Sequence, residues 1–379
     1  MNVVVAIDSF KGSLTSMQAG NAAAEGIKRA VPDADITVRP LADGGEGTVD
    51  TLVSGMSGEF RCVTVTDPCG RPVSAKYGII GTTAVMEMSA AAGITLVPKD
   101  ELDPLNKTTF GVGEMILDAI GCGCREFIVG IGGSATNDGG AGMLQALGFG
   151  LLNGSGEQIP RGAAGLSELV RITDCNVAEE LSECRFKIAC DVTDPLCGDN
   201  GCSAVFAPQK GAKAEDIPAM DGWLTHFAEL TKTIRPDADP DHPGAGAAGG
   251  LGFAFLSYTN AQLMSGAELI LRETKLEEYI RTADIVVTGE GRLDAQTAMG
   301  KAPAAVAGLA KKYGIPVTAF AGSVSDDAAV LHEHGIDAYF PTVRGVCSLE
   351  EAMNTENALR NLANTAEEVF RTLRMLGGK

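Results

Sequence analysis

Five segments of the sequence combine glycine or a tight turn with hydroxyl and carboxylate side chains, and two of them add cations, in a way that suits phosphate chemistry. They are DSFKGS (8–13), ADGGEGT (42–48), GGSATNDGG (132–140), DVTDP (191–195) and GEGRLDAQTAMGK (289–301). Glycine lets the backbone approach a ligand closely, and the free N–H groups at a helix start favour an anion. Phosphoryl transfer needs phosphates held by N–H groups and cations, Mg²⁺ held by carboxylates, and an aligned acceptor hydroxyl. The segments provide groups suited to each task.

The candidate residues fall into two groups. Lys11, Arg292, Asp191 and Asp294 are the predicted catalytic residues. The predicted substrate-binding and phosphate-binding residues are Asp8, Ser9, Ser13, Asp43, Gly44, Gly45, Glu46, Gly47, Thr48, Gly132, Gly133, Ser134, Thr136, Asn137, Asp138, Glu290, Thr297 and Lys301. Phosphate binding requires fewer carboxylates than these segments hold, so we expect several of them to be structural helix or turn caps.

Several common motifs are absent from the sequence. The P-loop pattern GxxxxGK[ST] does not occur, because Gly300–Lys301 is followed by Ala302 and has Ala295 where the first glycine belongs. No GxGxxG follows the first strand, and no GxSxG occurs. Each segment alone is a weak signal, since glycine-rich turns are common. Their repeated occurrence after predicted strands favours an enzyme with a phosphate ligand and leaves the acceptor open.

The elements that position these segments follow a strand-helix alternation at both ends of the chain. A buried strand over 3–7, a helix from Thr15 to Pro32 and a strand over 36–38 open the chain. The alternation returns with strands over 284–288, 315–320 and 336–340, and a closing helix over 348–376 that breaks near 354–357. The pattern predicts a parallel α/β sheet whose carboxyl edge carries the ligand loops.

The middle of the chain is less regular, which predicts a second domain. Shorter strands over 61–66, 75–80 and 84–88 lead to the apolar run 127–131. Residues 235–252 are predicted to be a loop, and 261–273 a helix. We therefore predict a discontinuous parallel α/β domain formed by 1–58 and 283–379, with an inserted α/β domain over 59–282.

Composition excludes several classes of protein. The 379 residues carry a formal net charge of −19, which argues against sequence-independent nucleic-acid binding and against an anionic membrane surface. No apolar run is long enough to span a membrane, and the first residues form a strand without a basic leader, so we expect no export. The ten cysteines include no CxxC pair and the four histidines no HExxH, so we expect reduced thiols and no zinc site.

Longer segments of the chain resemble a known family. They are DSFKGSLT (8–15), PLADGGEGT (40–48), GIGGSATNDGGAG (130–142), CDVTDPLCG (190–198), PQKGA (208–212), GAAGGLGFA (246–254) and VTGEGRLDAQTAMGKAP (287–303). Together they are similar to the glycerate kinases of the bacterial two-domain type, essentially from end to end. The resemblance implies ATP-dependent and Mg²⁺-dependent phosphorylation of D-glycerate in the cytoplasm. It also implies a Rossmann-like domain plus an inserted α/β domain, with the active site in the cleft between them.

The resemblance does not fix which hydroxyl of glycerate is phosphorylated or how many subunits assemble. Members of this type are mostly associated with 2-phosphoglycerate, although the name also covers enzymes that form the 3-phosphate. We expect a monomer or a homodimer. Two other interpretations stay open: a kinase or phosphatase for another small hydroxy or sugar acid, and a non-catalytic two-lobed protein that binds a small anion.

Roles for the cations and hydroxyls follow as hypotheses. Lys11, with the backbone of 9–13, is expected to bind an anion at the first helix start, either a substrate carboxylate or the transferring phosphate. Arg292 and Lys301 are expected to neutralise charge on glycerate or on the phosphates, and the alternative is a surface or salt-bridging role. Ser134 and its neighbours Thr136 and Asn137 are expected to contact phosphate or glycerate hydroxyls directly.

The carboxylates have overlapping candidate roles. Asp191, which ends a predicted strand, is expected to be the general base or a ligand of Mg²⁺. Asp194 is the other candidate Mg²⁺ ligand. Asp43 and Asp294 compete with Asp191 for the same roles.

Overall fold

The computed structural model describes residues 1–42, 44–45 and 47–377. Its strands, in chain order, are β1 (Asn2–Ile7), β2 (Asp35–Val38), β3 (Glu59–Thr66), β4 (Pro72–Ile80), β5 (Thr83–Glu87), β6 (Glu126–Gly130), β7 (Gly150–Leu152), β8 (Arg171–Thr173), β9 (Arg185–Ala189), β10 (Ala261–Met264), β11 (Ile285–Leu293), β12 (Val317–Val324) and β13 (Ala338–Pro341). Its α-helices, in the same order, are α1 (Ser16–Ala30), α2 (Thr48–Gly55), α3 (Ser89–Ala92), α4 (Phe110–Gly121), α5 (Ala141–Ala146), α6 (Cys202–Phe206), α7 (Ile217–Ile234), α8 (Ala247–Tyr258), α9 (Gly266–Glu273), α10 (Leu276–Ile280), α11 (Ala302–Lys311), α12 (Leu349–Met353) and α13 (Thr355–Gly377). Among these described helices, none has the length and apolar character needed to cross a membrane.

The chain divides into two compact units, each assembled from separate parts of the sequence. The first unit is Met1–Asp43, Asp50–Ser57 and Gly266–Lys379, and the second is Gly44–Val49 and Gly58–Ser265. The predicted boundaries were 58/59 and 282/283, so α9 and α10 group with the first unit here rather than with the insertion. The limits of the two domains as independent folding units stay a prediction.

The sheet of the first unit is parallel throughout. Its strand order is β13-β12-β11-β1-β2, and every neighbouring pair runs in the same direction. The apolar run Val3–Ile7 of β1 is buried, as expected for a parallel strand covered on both faces. Thr15 caps α1 in a capping box with Gln18, which confirms the predicted helix start.

Helices α1 and α13 pack against each other and share one core with β1. Ile27 of α1 is fully buried with Leu362 and Phe370 of α13. The two helices approach most closely at Gly26, where an added Cβ would lie 1.9 Å from the carbonyl oxygen of Ala363. A side chain at Gly26 therefore has no room unless one of the helix backbones moves.

The main sheet of the second unit is mixed. Its order is β10-β9-β6-β5-β4-β3, with antiparallel pairing of β3 with β4 and of β4 with β5, and parallel pairing elsewhere. A separate antiparallel pair joins β7 to β8. Phe127 of β6 stacks on Phe186 of β9, with ring centroids 4.6 Å apart, in a core of buried apolar side chains. The predicted α/β class is confirmed for both units.

Two predicted elements were wrong. The predicted helix over 261–273 begins as strand β10, because Ala261 to Met264 pair with the edge of the sheet at Phe186 to Ala189. The predicted loop over 235–252 was wrong only at its end, because Ala248, Gly249 and Gly250 have non-helical backbone and the regular part of α8 follows them. The predicted break in the closing helix is confirmed, since Asn354 separates α12 from α13.

The contact at Gly26 generates a test of the first unit. We expect Gly26→Ala to lower the free energy of unfolding by roughly 2 kcal/mol, because the added methyl group meets the backbone of α13. Gly308→Ala is the matched control: Gly308 is exposed in α11 and has no atom within 4 Å of the added Cβ. It should raise stability by about 0.5 kcal/mol, since alanine favours a helix. Urea unfolding of both variants decides, and equal effects would contradict the close packing.

Candidate functional site

The first unit contains a pocket of about 450 Å³ around the ends of β1, β11 and β12. Ligands of open parallel sheets bind at this carboxyl edge. The residues predicted from sequence that line it are Asp8, Ser9, Lys11, Ser13, Glu290, Arg292, Asp294 and Lys301. The structure thus brings together candidates from both ends of the chain in one pocket.

Lys11 lies at the tip of a closed turn between β1 and α1. Phe10 and Leu14 pair across the turn, with the Phe10 amide donating to the Leu14 carbonyl over 2.9 Å. The Lys11 side chain is exposed, whereas Asp8 at the base of the turn is 6% exposed and accepts the Ser9 amide over 2.6 Å. The helix itself starts only at Ser16. Lys11 therefore presents its charge from the turn, which corrects the expected position at the helix start.

Asp294 links two of the predicted cations. Its carboxylate caps the 3₁₀ helix Ala295–Met299, accepting the Gln296 amide over 3.0 Å and the Thr297 amide over 3.3 Å. Arg292 Nε lies 3.6 Å and Lys301 Nζ lies 4.0 Å from its oxygens. Both cations are partly exposed, so these ion pairs contribute little to stability but hold two positive charges at the pocket.

Glu290 is a half-buried carboxyl group of this pocket. It accepts a hydrogen bond of 2.5 Å from Thr297 Oγ1. Burial raises the pKa of Glu290, while the Thr297 hydroxyl and the nearby Lys301 and Lys11 act in the opposite direction. Thr297 is fully buried and does not line the pocket, so the structure gives it the role of orienting Glu290 instead of the predicted substrate contact.

The second unit has its own pocket, of about 330 Å³. Glycines from two predicted loops line it, with polar and charged side chains from three more segments. The lining residues are Gly44, Gly45, Ile94, Ile131, Gly132, Gly133, Ser134, Ala189, Cys190, Asp191, Val192, Phe206, Gln209, Lys210, Ala247 and Ala248. The structure therefore brings Ser134 and Asp191 to one pocket, because they follow the neighbouring parallel strands β6 and β9.

Lys210 is a residue of this pocket that the sequence analysis did not select. The residue is only 2% exposed. Its amine donates hydrogen bonds to Ser134 Oγ and to the Thr136 carbonyl, each over 2.7 Å. Burial lowers the pKa of Lys210 to about 8, and the nearby Cys202 and Asp138 act in the opposite direction. The segment PQKGA at 208–212, noted only as part of the family resemblance, was the signal that could have identified it.

The side chains of Thr136, Asn137 and Asp138 do not reach the pocket. All three residues are fully buried, and Asn137 Nδ2 donates to Ser203 Oγ over 2.9 Å. The predicted direct contacts of these side chains with a substrate are therefore corrected. They shape the turn from beneath, because a residue without exposed surface cannot meet a ligand while the fold is intact.

Asp138 organises the turn through several hydrogen bonds. Its carboxylate accepts the Thr109 amide at 2.8 Å, the Thr109 hydroxyl at 2.9 Å, the Gly140 amide at 3.1 Å and the Gly142 amide at 3.2 Å. Burial raises the pKa of Asp138, and these hydrogen bonds oppose that rise. Asp138 is one of the structural caps that the surplus of acidic residues predicted.

Gly249 lets a second turn lie against the predicted phosphate turn. It has a left-handed backbone, with φ of 68°, and its added Cβ would lie 2.1 Å from the Thr136 carbonyl oxygen. The Gly139 amide donates to the Gly249 carbonyl over 2.9 Å. Ala248, beside it, also has positive φ, 55°, which is strained for a residue with a side chain. This strained segment lines the pocket through Ala247 and Ala248.

The predicted segment over residues 43–48 is placed only in part. Asp43 and Glu46 lie outside the described residues. Gly44 and Gly45 line the second pocket, but Gly47 and Thr48 do not. Thr48 is 3% exposed at the start of α2.

The structure separates the two candidate Mg²⁺ ligands. Asp191 is exposed and lines the pocket, whereas Asp194 is half-buried, does not line it, and accepts the Gly246 amide through its main-chain carbonyl over 3.0 Å. Among the described residues no group of three or more His, Cys, Asp or Glu side chains could hold a metal ion. Mg²⁺ in phosphoryl-transfer sites is usually held by one or two carboxylates together with substrate phosphates. Of the two candidate ligands, Asp191 is the one that lines this pocket.

Comparison with known proteins decides the family. A model described as the glycerate kinase family matches residues 3–374. The chain belongs to the glycerate kinase family. A glycerate 2-kinase of Escherichia coli (strain K12) is 45% identical over 372 residues, which are 96% of this chain and 98% of that protein. A glycerate kinase of Bacillus subtilis (strain 168) is 44% identical over 377 residues, 99% of this chain and 98% of that one.

A solved structure has the same fold over the full length of this chain. A crystal structure from Salmonella typhimurium LT2, provisionally named glycerate kinase 2, superposes with a TM-score of 0.92 at 44% identity and covers 100% of both chains. These comparisons confirm the predicted family and the predicted fold class. They also confirm that the enzyme class is a kinase.

The network around Asp138 generates a second test. We expect Asp138→Asn to lower the free energy of unfolding by roughly 3 kcal/mol, because an amide nitrogen would face N–H donors. The folded variant should keep its substrate affinity within a few-fold, since Asp138 has no exposed surface. Thermal and urea unfolding, with the exposed Asp100→Asn as control, check the first point. Unchanged stability with lost affinity would instead support the direct contact predicted from sequence.

Proposed function

We propose that this chain transfers the γ-phosphoryl group of ATP to a hydroxyl of D-glycerate, in a reaction that requires Mg²⁺. The observation that carries the proposal is the first-unit pocket, where Lys11, Arg292 and Lys301 lie with Glu290 and Asp294 at the ends of parallel strands. Two anionic substrates must meet for this reaction, and a cluster of cations offsets their repulsion. Membership of the glycerate kinase family supports glycerate as the acceptor.

The product we propose is 2-phosphoglycerate. A relative named glycerate 2-kinase is 45% identical to this chain over nearly its whole length, which supports that position for the phosphate. The pockets alone do not distinguish the two hydroxyl groups of glycerate. A monomer or homodimer in the cytoplasm stays a prediction.

The cations have separate tasks in this proposal. Arg292 and Lys301 are held by Asp294, so their charges stay beside the pocket without a ligand and need little rearrangement when one binds. Lys11 stands on a closed turn and binds an oxygen of the carboxylate or of the transferring phosphate. Glu290 is oriented by Thr297 at the buried side of the pocket.

In the second unit, Asp191 is the residue proposed to act as general base or to hold Mg²⁺. It is exposed at a pocket whose other polar groups include Ser134 and Gln209. A carboxylate is the hard oxygen donor that Mg²⁺ prefers, and the bound ion would neutralise charge on the phosphates. Asp294 is less suited to be a base, because its oxygens already accept two amides and lie beside two cations.

The proposal predicts a specific activity and product. Purified protein with ATP, Mg²⁺ and D-glycerate should release ADP in a coupled assay, and phosphorus NMR should show a phosphate on the C2 hydroxyl. Lys11→Ala should lower kcat/KM by about 100-fold, because a cation facing the substrates is lost. Lys312→Ala, which removes an exposed lysine that does not line the pocket, should leave kcat/KM unchanged. Turnover of other hydroxy acids in preference to D-glycerate would overturn the assignment.

Asp191→Asn separates the two roles of that carboxylate. If Asp191 is the base, kcat falls by about 100-fold or more while the Mg²⁺ dependence is unchanged. If it holds Mg²⁺, the Mg²⁺ concentration needed for half-maximal rate rises. Asp199→Asn is the control, since Asp199 is exposed in the same loop and does not line the pocket. A normal rate with normal Mg²⁺ dependence removes Asp191 from the mechanism.

A further inference from the structure

Lys210 is a buried cation with no carboxylate partner among the residues that the structure describes. Its amine donates to the Ser134 hydroxyl and to the Thr136 carbonyl, and both acceptors are neutral. The carboxylate that acts on its charge is Asp138, which already accepts hydrogen bonds from Thr109, Gly140 and Gly142. A buried charge without an opposite charge is unfavourable, so its presence calls for a function.

The ammonium group has one donor left over. It carries three N–H groups, and two of them are used by the turn over residues 134–136. Lys210 also lines the second-unit pocket, so a ligand there can be reached by the third. Because water is largely excluded from a lysine that is only 2% exposed, a ligand oxyanion would gain more here than at the surface.

The rest of the pocket suits a small anion. Gly132 and Gly133 are exposed, and a Cβ added at Gly132 would meet no atom within 4 Å, so the backbone there is open to a ligand. Ile94 and Ile131 provide apolar wall beside the charge. A volume of about 330 Å³ is enough for a three-carbon acid or for a phosphate chain.

We propose that the Lys210 ammonium binds an oxyanion of a substrate directly, donating its third N–H to a carboxylate oxygen of the acid or to a phosphate oxygen of the nucleotide. This inference rests on the proposed kinase function and deepens it, since it adds a substrate-binding cation in the second unit. Ser134 and the Thr136 carbonyl are then positioning groups, because they fix the direction of the amine.

Proton uptake is the property that a merely structural lysine would not show. Free Lys210 has a pKa of about 8 and is therefore partly neutral near that pH, and an anion bound to it raises the pKa and draws a proton in. We therefore expect proton uptake on binding to be small at pH 7 and to increase from pH 7 to pH 9. The other titratable groups nearby are Cys202, Asp138, Cys190 and Asp191. They are the same in a Lys210 variant, so the difference between the two proteins isolates the lysine.

The experiment is calorimetry on the full chain in buffers of different ionisation heat at pH 7, 8 and 9. One arm uses D-glycerate and the other ADP, which distinguishes the carboxylate from the phosphate as the source of the oxyanion. Lys210→Met should lower the affinity for the ligand that Lys210 contacts by about 30-fold or more at pH 7. It should also remove the pH-dependent proton uptake. The other ligand should change by no more than a few-fold. Lys213→Met, at an exposed lysine of the next loop, should behave as wild type.

Three results would overturn the inference. If Lys210→Met lowers the affinity for both ligands equally and leaves proton uptake unchanged, Lys210 only holds segment 208–212 against the turn. Wild-type protein that phosphorylates D-glycerate but shows no pH-dependent uptake with either ligand would reject the inference and leave the proposed function standing. Absence of binding and of ADP release would reject both. The wild-type measurements remain decisive if Lys210→Met does not fold.

Discussion

The second pocket depends on two backbones approaching within a distance that admits no side chain. Gly249 lies against the Thr136 carbonyl, and the Gly139 amide donates to the Gly249 carbonyl. This contact, with the buried Asp138 beneath, fixes the turn whose Ser134 hydroxyl and Thr136 carbonyl receive the Lys210 amine. The strain at neighbouring Ala248 persists because the surrounding packing determines its backbone. The geometry of the cation is thus set by main-chain packing rather than by flexible surface contacts.

The two units present positive charge in opposite ways. In the first unit, Arg292 and Lys301 share the carboxylate of Asp294 near solvent, where salt screens their field. In the second, Lys210 is buried and donates to neutral acceptors, in an environment where screening is weak and hydrogen bonds are strong. The exposed cations can attract anions from a distance, whereas the buried one acts only at contact. A family that joins two anionic substrates can use both kinds of charge.

Much of the fold followed from local sequence rules, and the site followed less completely. The apolar run of β1 and the capping box of Thr15 report elements that need no distant partner to be recognised. Strand β10 was missed because its pairing with β9 is a property of the sheet and not of residues 261–264. Asp138 was assigned to the ligand because sequence shows which residue types adjoin a glycine turn but not which way they face. Lys210 was overlooked for the same reason, since burial of a lysine cannot be read from its neighbours.

The position of β1 in its sheet has a consequence for biosynthesis. It pairs on one side with β2 and on the other with β11, so a strand made before the second unit needs a partner that is made after it, beginning at Ile285. The apolar face of helix α1 is likewise covered only after α13 has been synthesised. The ribosome therefore delivers every residue of the second unit while the first is still unfinished. Nascent β1 and α1 spend that interval with apolar surface uncovered, which is when chaperones are most needed.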